Sequence, residues 1–157
     1  MENERIEKAV ALFKEGFNCS QSVVAAFADQ YGFTHEQALR MSASFGGGIG
    51  RMRETCGAAC GLFMLAGLET GATEGSDRDG KAANYALVQE LAEEFKKRNG
   101  ALRCADLLGL SKTEPIVSTP EARTSQYYAK RPCSKMVEEA PRIWCEYLEK
   151  HTKVGKE

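Results

Sequence analysis

The chain has 157 residues, 43% of them apolar, with one tryptophan, which is the size of one ordinary domain able to bury a core without disulfides. A formal charge of −1 and a pI near 6.2 provide no basic field for nucleic acid, which is set aside as a partner, and there is no acidic tail. The start MENERIEKAV is charged from its second residue, unlike a signal peptide, and the longest apolar run, Gly61 to Leu68, is far short of the ~20 residues that cross a bilayer. The expected location is therefore the cytoplasm, where cysteines stay reduced.

Apolar positions recur with helical spacing nearly everywhere, and no run alternates as a half-buried strand does. The expected fold is a single all-α domain over residues 1–157, a helical bundle of about six to seven helices with a glycine-rich loop and an irregular proline-containing connection. Ile6, Val10 and Phe13 mark one face of a first helix that Gly16 can end in a left-handed conformation. Asn18 caps a second, with Val23, Val24, Phe27 and Tyr31 inside and Gly32 as its stop. Thr34 followed by Gln37 reads as a capping box for a third that runs toward Phe45.

Thr55 is the expected cap of a helix from Cys56 to about Ala66, closed by Gly67. ETGATEGSDRDG is a loop by composition. From Asp79 to Arg98 the positions Tyr85, Val88, Leu91, Ala92 and Phe95 predict an amphipathic helix ended by Asn99-Gly100. A short helix holds Cys104. Ser111 to Lys130, with Pro115 and Pro120, reads as the irregular connection. A last helical region begins near Pro132-Cys133 and carries Met136, Val137, Ile143, Trp144, Tyr147 and Leu148, with Pro141 expected to kink or split it.

The segment SFGGGIGRMRETCGAACG raises the question of whether it cradles phosphate or serves thiols. A Walker loop needs Lys-Ser or Lys-Thr after its last glycine, but Arg51-Met52 follows Gly50; a dinucleotide fingerprint starting at Gly46 would need glycine where Arg51 stands, after a strand that is absent. Binding of an anion by the glycine backbone with Arg51 and Arg53 remains a lesser alternative. Glycines also let backbone pass close to a buried group. Gly57 and Gly61, four apart on the next helix, leave a stripe without side chains that suits a cofactor or tight helix packing equally.

Three of the six cysteines, Cys19, Cys56 and Cys133, fall at expected helix starts, where the macrodipole should lower the thiol pKa. Cys60 is one turn after Cys56, close enough to share a metal or form a strained disulfide, and Cys145 beside Trp144 reads as a core residue. No Cys-x-x-Cys, Cys-x-x-Cys-His or His-Glu-x-x-His occurs, and His35 and His151 read as surface residues. Any metal site would have to gather cysteines far apart in sequence. No acid–base pair or Ser-His-Asp arrangement supports a hydrolase.

The order Cys19, then CGAACG from Cys56 to Gly61, then Cys104 and Cys133, together with GFNCSQSV and FGGGIG, resembles the C_GCAxxG_C_C family of redox-active proteins, over roughly Ile6 to Leu148. That family is similar to the cysteine-bearing domain of split-Soret cytochrome c, a helical dimeric protein associated with an iron–sulfur centre and haems. The resemblance implies Cys19, Cys56, Cys104 and Cys133 as metal ligands of an iron–sulfur cluster, of the two-iron type, in electron transfer or redox sensing. Gly47, Gly48, Gly57 and Gly61 are then the cofactor-lining candidates, and the haem part has no counterpart. Cys60 and Cys145 fall outside the family pattern, leaving open a disulfide such as Cys56–Cys60. The resemblance further implies a homodimer, an unspecified redox partner and association with a membrane transporter. Two alternatives stand beside the cluster: a thiol–disulfide redox protein that attacks through Cys56, and a zinc-binding or cysteine-packed accessory module of a transporter.

Overall fold

The computed structural model describes residues 2–111 and 113–156, without the side chains of Lys130 and of 152–156. Eight α-helices are present among them: α1 Glu2–Lys14, α2 Cys19–Ala25, α3 His35–Ser42, α4 Gly57–Thr70, α5 Arg78–Asn99, α6 Cys104–Leu108, α7 Ser125–Lys130 and α8 Cys133–Lys156. Short 3-10 turns follow α2 and α3, at Ala28–Tyr31 and Ala43–Phe45. The only extended pairing among the described residues is one antiparallel bridge, Thr55 with Arg103.

Local sequence chemistry sets most of the ends. Asn18 and Gln21 form a reciprocal capping box at α2, and Thr34 and Gln37 form another at α3, each satisfying two orphan amides. Gly32 and Gly100 stop their segments at φ 77° and 96°, a region glycine enters freely. The second helix is shorter than its apolar pattern suggests, because the chain leaves α-geometry at Phe27 and tightens into the 3-10 turn.

Four expectations change. The cap of α4 is Cys56, not Thr55, which is held in the bridge to Arg103; the helix passes Gly67 and reaches Thr70. α7 lies in what reads as irregular connection, started by Thr124, whose hydroxyl accepts from the Tyr127 amide. α8 runs through Pro141 unbroken, with that ring fully buried. Tyr85, placed on the apolar face of α5 by its spacing, is 61% exposed, so Leu87, Leu91 and Phe95 carry that face instead.

α4 is apolar around its whole circumference through Leu68, which is the pattern of a central helix. It packs on α2, α5 and α8, while α1 lies along α8. Phe13, Phe27, Leu62, Leu65, Phe95, Val137 and Trp144 fill the main core, and a smaller cluster of Leu12, Val24, Ala25, Ala28 and Ala38 sits under α3. The stripe of Gly57 and Gly61 is where α4 meets α2. A Cβ on Gly61 would stand 3.0 Å from that of Val23, and one on Gly57 would stand 2.8 Å from the Phe45 carbonyl oxygen. This close approach traps the Ser20 hydroxyl, fully buried and without a hydrogen-bond partner. Ser20→Ala is therefore expected to raise stability by about 1 kcal/mol, read by urea unfolding, because it removes a desolvated polar group and adds no volume.

Candidate functional site

A cavity of about 410 Å³ opens where the starts of α2, α4, α6 and α8 converge. Cys19, Cys56, Cys104 and Cys133 all line it, each at the first residue or cap of its helix. Cys104 begins α6 instead of lying inside it, so a fourth cysteine joins the three whose helix-start position the sequence suggests. Cys60 and Cys145 are not on this cavity. Cys60 is buried along α4 with its sulfur 3.7 Å from the Thr55 carbonyl oxygen, Cys145 is half-buried against the core, and all six thiols are free.

The Thr55–Arg103 bridge sets the spacing of two of the thiols. On either side of it the Cys56 amide donates to the Leu102 carbonyl at 2.8 Å and the Cys104 amide to the Glu54 carbonyl at 2.6 Å. The glycine segment forms the opposite wall. Gly47, Gly48, Ile49, Gly50 and Arg51 have successive positive φ values of 67°, 76°, 66°, 56° and 61°, and Arg53 follows at 63°. This is a left-handed turn, closed by the Arg53 amide to Gly47 and the Glu54 amide to Gly48. For Ile49, Arg51 and Arg53 that geometry costs ~1–2 kcal/mol each, which surrounding contacts must offset. Part of the reason for it lies at Gly48, where a Cβ would stand 2.6 Å from Cys104 Cβ and 2.8 Å from Arg53 Cα. Of the four glycine candidates, Gly47, Gly48 and Gly57 line the cavity; Gly61 lies one turn deeper, in the α2–α4 contact.

Four arginines complete the lining. Arg51 donates to the Val117 and Thr119 carbonyls at 2.7 and 2.6 Å, which ties the connection before α7 across the mouth. Arg53 Nη1 stands 3.8 Å from Cys104 Sγ. Arg123 donates to the Phe13 and Phe17 carbonyls and lies over the Phe13 ring, and Arg131 pairs with Glu121. Arg123 and Arg131 escape a reading by motif, although Arg131-Pro132-Cys133 does place a cation beside a helix-start thiol.

Burial overrides the macrodipole at most of the thiols, contrary to the expectation from their helix-start positions. Desolvation pushes Cys56 up to about 12 even though the Ala59 and Ala58 amides act to lower it; its sulfur makes no capping hydrogen bond of ordinary geometry. Burial also raises Cys104 against the pull of Arg53. Cys19 and Cys133 line the same cavity and influence each other's ionisation, so they titrate as a pair. The hydrogen bond from Cys19, helped by Arg131, Arg123 and Arg53, holds Cys133 down to about 7, while Cys19 is driven well above the ordinary thiol range.

The Cys56 shift predicts alkaline sensitivity. A thiol raised in the folded state stays neutral there while the unfolded chain ionises near 9.0, so its contribution is complete below pH 9 and is lost as pH rises toward 12. At ~1.4 kcal/mol per pH unit the loss is on the order of 4 kcal/mol. Urea unfolding across that range should show the fall, and Cys56→Ala should lessen it, the remainder coming from the other raised thiols.

Among the described residues, no group of three or more His, Cys, Asp or Glu side chains is arranged to hold a metal ion, and no helix is long and apolar enough to cross a membrane. His35 and His151 are exposed, as their sequence context suggests.

The fold and the cavity together define a helical protein with a thiol centre assembled from distant cysteines. The chain belongs to the family described as "Putative redox-active protein (C_GCAxxG_C_C)", whose model matches residues 17–147. No curated protein and no solved structure matches it.

Proposed function

We propose that this protein is a dithiol–disulfide redox protein of the cytoplasm, in which Cys133 attacks and Cys19 resolves. The observation that carries this reading is that Cys19 and Cys133, the first residues of α2 and α8, line the same arginine-bearing cavity. The Cys133 thiolate attacks one sulfur of an incoming disulfide, whose S–S bond breaks as the leaving sulfur takes up a proton. Cys19 then gives up its proton and attacks Cys133 Sγ, expelling the second thiol and leaving a Cys19–Cys133 disulfide. Two electrons pass to the substrate, and a thiol reductant restores the pair. Cys56, protonated at neutral pH and 6% exposed, is the poorer nucleophile. Mild oxidation followed by peptide mapping without reduction should find a Cys19–Cys133 crosslink with the loss of two hydrogens. A Cys56–Cys60 crosslink in its place would sink this reading.

A second reading has Cys19, Cys56, Cys104 and Cys133 holding an iron–sulfur cluster, and the common lining of one cavity by all four favours it. The donor chemistry fits, with four thiols beside arginines able to balance thiolate charge, but among the described residues the sulfurs as arranged do not converge on one point. Anaerobic purification with iron, sulfide and zinc analysis decides it: a coloured protein with iron and sulfide in equal amounts supports the cluster, zinc alone supports the accessory-module alternative, and a colourless metal-free protein removes both. A homodimer and a transporter partner rest on the family resemblance alone.

A further inference from the structure

The charge of the cavity lining is out of step with that of the chain. Over the whole sequence 21 basic side chains face 22 acidic ones, yet the lining holds Arg51, Arg53, Arg123 and Arg131 against one carboxylate, Glu121. Glu121 is paired with Arg131. Among the described residues no carboxylate pairs with Arg51, Arg53 or Arg123; Arg51 and Arg123 use part of their donor sets on neutral carbonyls, and Arg53 approaches only a sulfur. Crowding of like charge is felt there, since burial, Arg53 and Arg131 all act to lower the Arg51 pKa. Among the described residues no acceptor stands at the Gly47 and Gly48 amides, at the opening of the left-handed turn. Concentrated, incompletely neutralised guanidinium groups beside a low-dielectric wall attract small anions and raise their local concentration. At 410 Å³ the space is of the size that holds small molecules, typically about 300–1,000 Å³.

We infer that the cavity takes a small carboxylate-bearing disulfide, with Arg51, Arg53 and Arg123 recognising its anionic groups while its sulfurs lie against Cys133. This rests on the dithiol reading above for the chemistry, and on the arginines alone for the charge preference. The reaction balances as one substrate disulfide and the two protein thiols giving two small thiols and the Cys19–Cys133 disulfide, which a dithiol reductant then reopens.

Three disulfides that differ mainly in charge test it: dithiodiglycolate as the dianion, hydroxyethyl disulfide as the neutral form and cystamine as the dication, each with dithiothreitol as reductant and corrected for the uncatalysed rate. The dianion should react fastest and the dication slowest, with a spread of roughly ten- to a thousandfold that narrows as ionic strength rises. Arg53→Gln should compress the spread and Arg53→Lys should restore most of it, with circular dichroism confirming that both fold. Adipate, in which methylenes replace the two sulfurs, gives a readout without redox chemistry: it should bind by calorimetry and compete with dithiodiglycolate, whereas hexanediol should not. Equal rates for the three disulfides, or adipate bound no better than hexanediol, would overturn the inference while leaving the dithiol reading standing. No reduction of any disulfide, with adipate still bound and released by Arg53→Gln, would instead remove the dithiol reading and keep the charge preference.

Discussion

Cys133→Ser is expected to abolish the fast phase of iodoacetamide labelling at neutral pH and to stop disulfide reduction. A thiol held near 7 is about half ionised at pH 7, against roughly 1% for one at the ordinary value of 9.0. The lower basicity gives back roughly six- to tenfold of that gain in nucleophilicity, so the net advantage over an ordinary thiol is about five- to eightfold. Over Cys56 the advantage is far larger, because a thiol near 12 is ionised at pH 7 to only about one part in 100,000. The companion variant Cys19→Ala, which removes the donor that serine would keep, should leave labelling in place but move its pH midpoint upward, since Cys19 is the largest cause of the Cys133 shift. A midpoint that stays put in Cys19→Ala would show that the arginines act alone.

Gly48→Ala is expected to destabilise the fold by about 2–5 kcal/mol. Left-handed geometry without glycine accounts for ~1–2 kcal/mol of this, and overpacking for ~1–3 kcal/mol. The second contribution is hard to relieve, because the added carbon meets the Arg53 and Glu54 backbones as well as Cys104. Gly67→Ala is the control. It lies inside α4 with nothing within 4 Å of the new carbon, and it should be neutral or stabilising because alanine is the better helix former. Thermal unfolding of the pair separates a demand of the cavity wall from a general intolerance of alanine.

Features governed by neighbours in sequence were legible before folding was considered. The cap at Asn18, the box at Thr34–Gln37, the stop at Gly100 and the all-helical character depend on spacing of a few residues and appear as expected, whereas Gly32 stops the 3-10 turn instead of the second helix. α7 was hidden because Pro115 and Pro120 dominate the segment before it, while its own start depends on one hydroxyl at Thr124. The run across Pro141 was hidden because the helix ends lie in the packing of α8 on α1, α4 and α5, not in the proline itself. At the cavity, the identity of the four cysteines could be read from motif order, but the sign of their ionisation could not. The macrodipole is a property of one helix, whereas the desolvation that overrides it at Cys56 comes from elements distant along the chain. The gathering of Arg123 and Arg131 with Arg51 and Arg53 is likewise a product of tertiary packing.

The Thr55–Arg103 bridge also bears on when the thiols meet. It closes a long loop through α4 and α5, and Cys19 finds Cys133 only after most of the chain has been traversed. Individual helices form in about a microsecond, while pairings between remote segments wait for loop closure to be compensated by packing. Because α8 follows the other seven helices in order of synthesis, Cys19 and Cys56 emerge well before their companion Cys133. During that interval they are separate, solvated sulfurs at ordinary acidity, and an oxidant arriving then would trap wrong pairs that the finished bundle keeps apart.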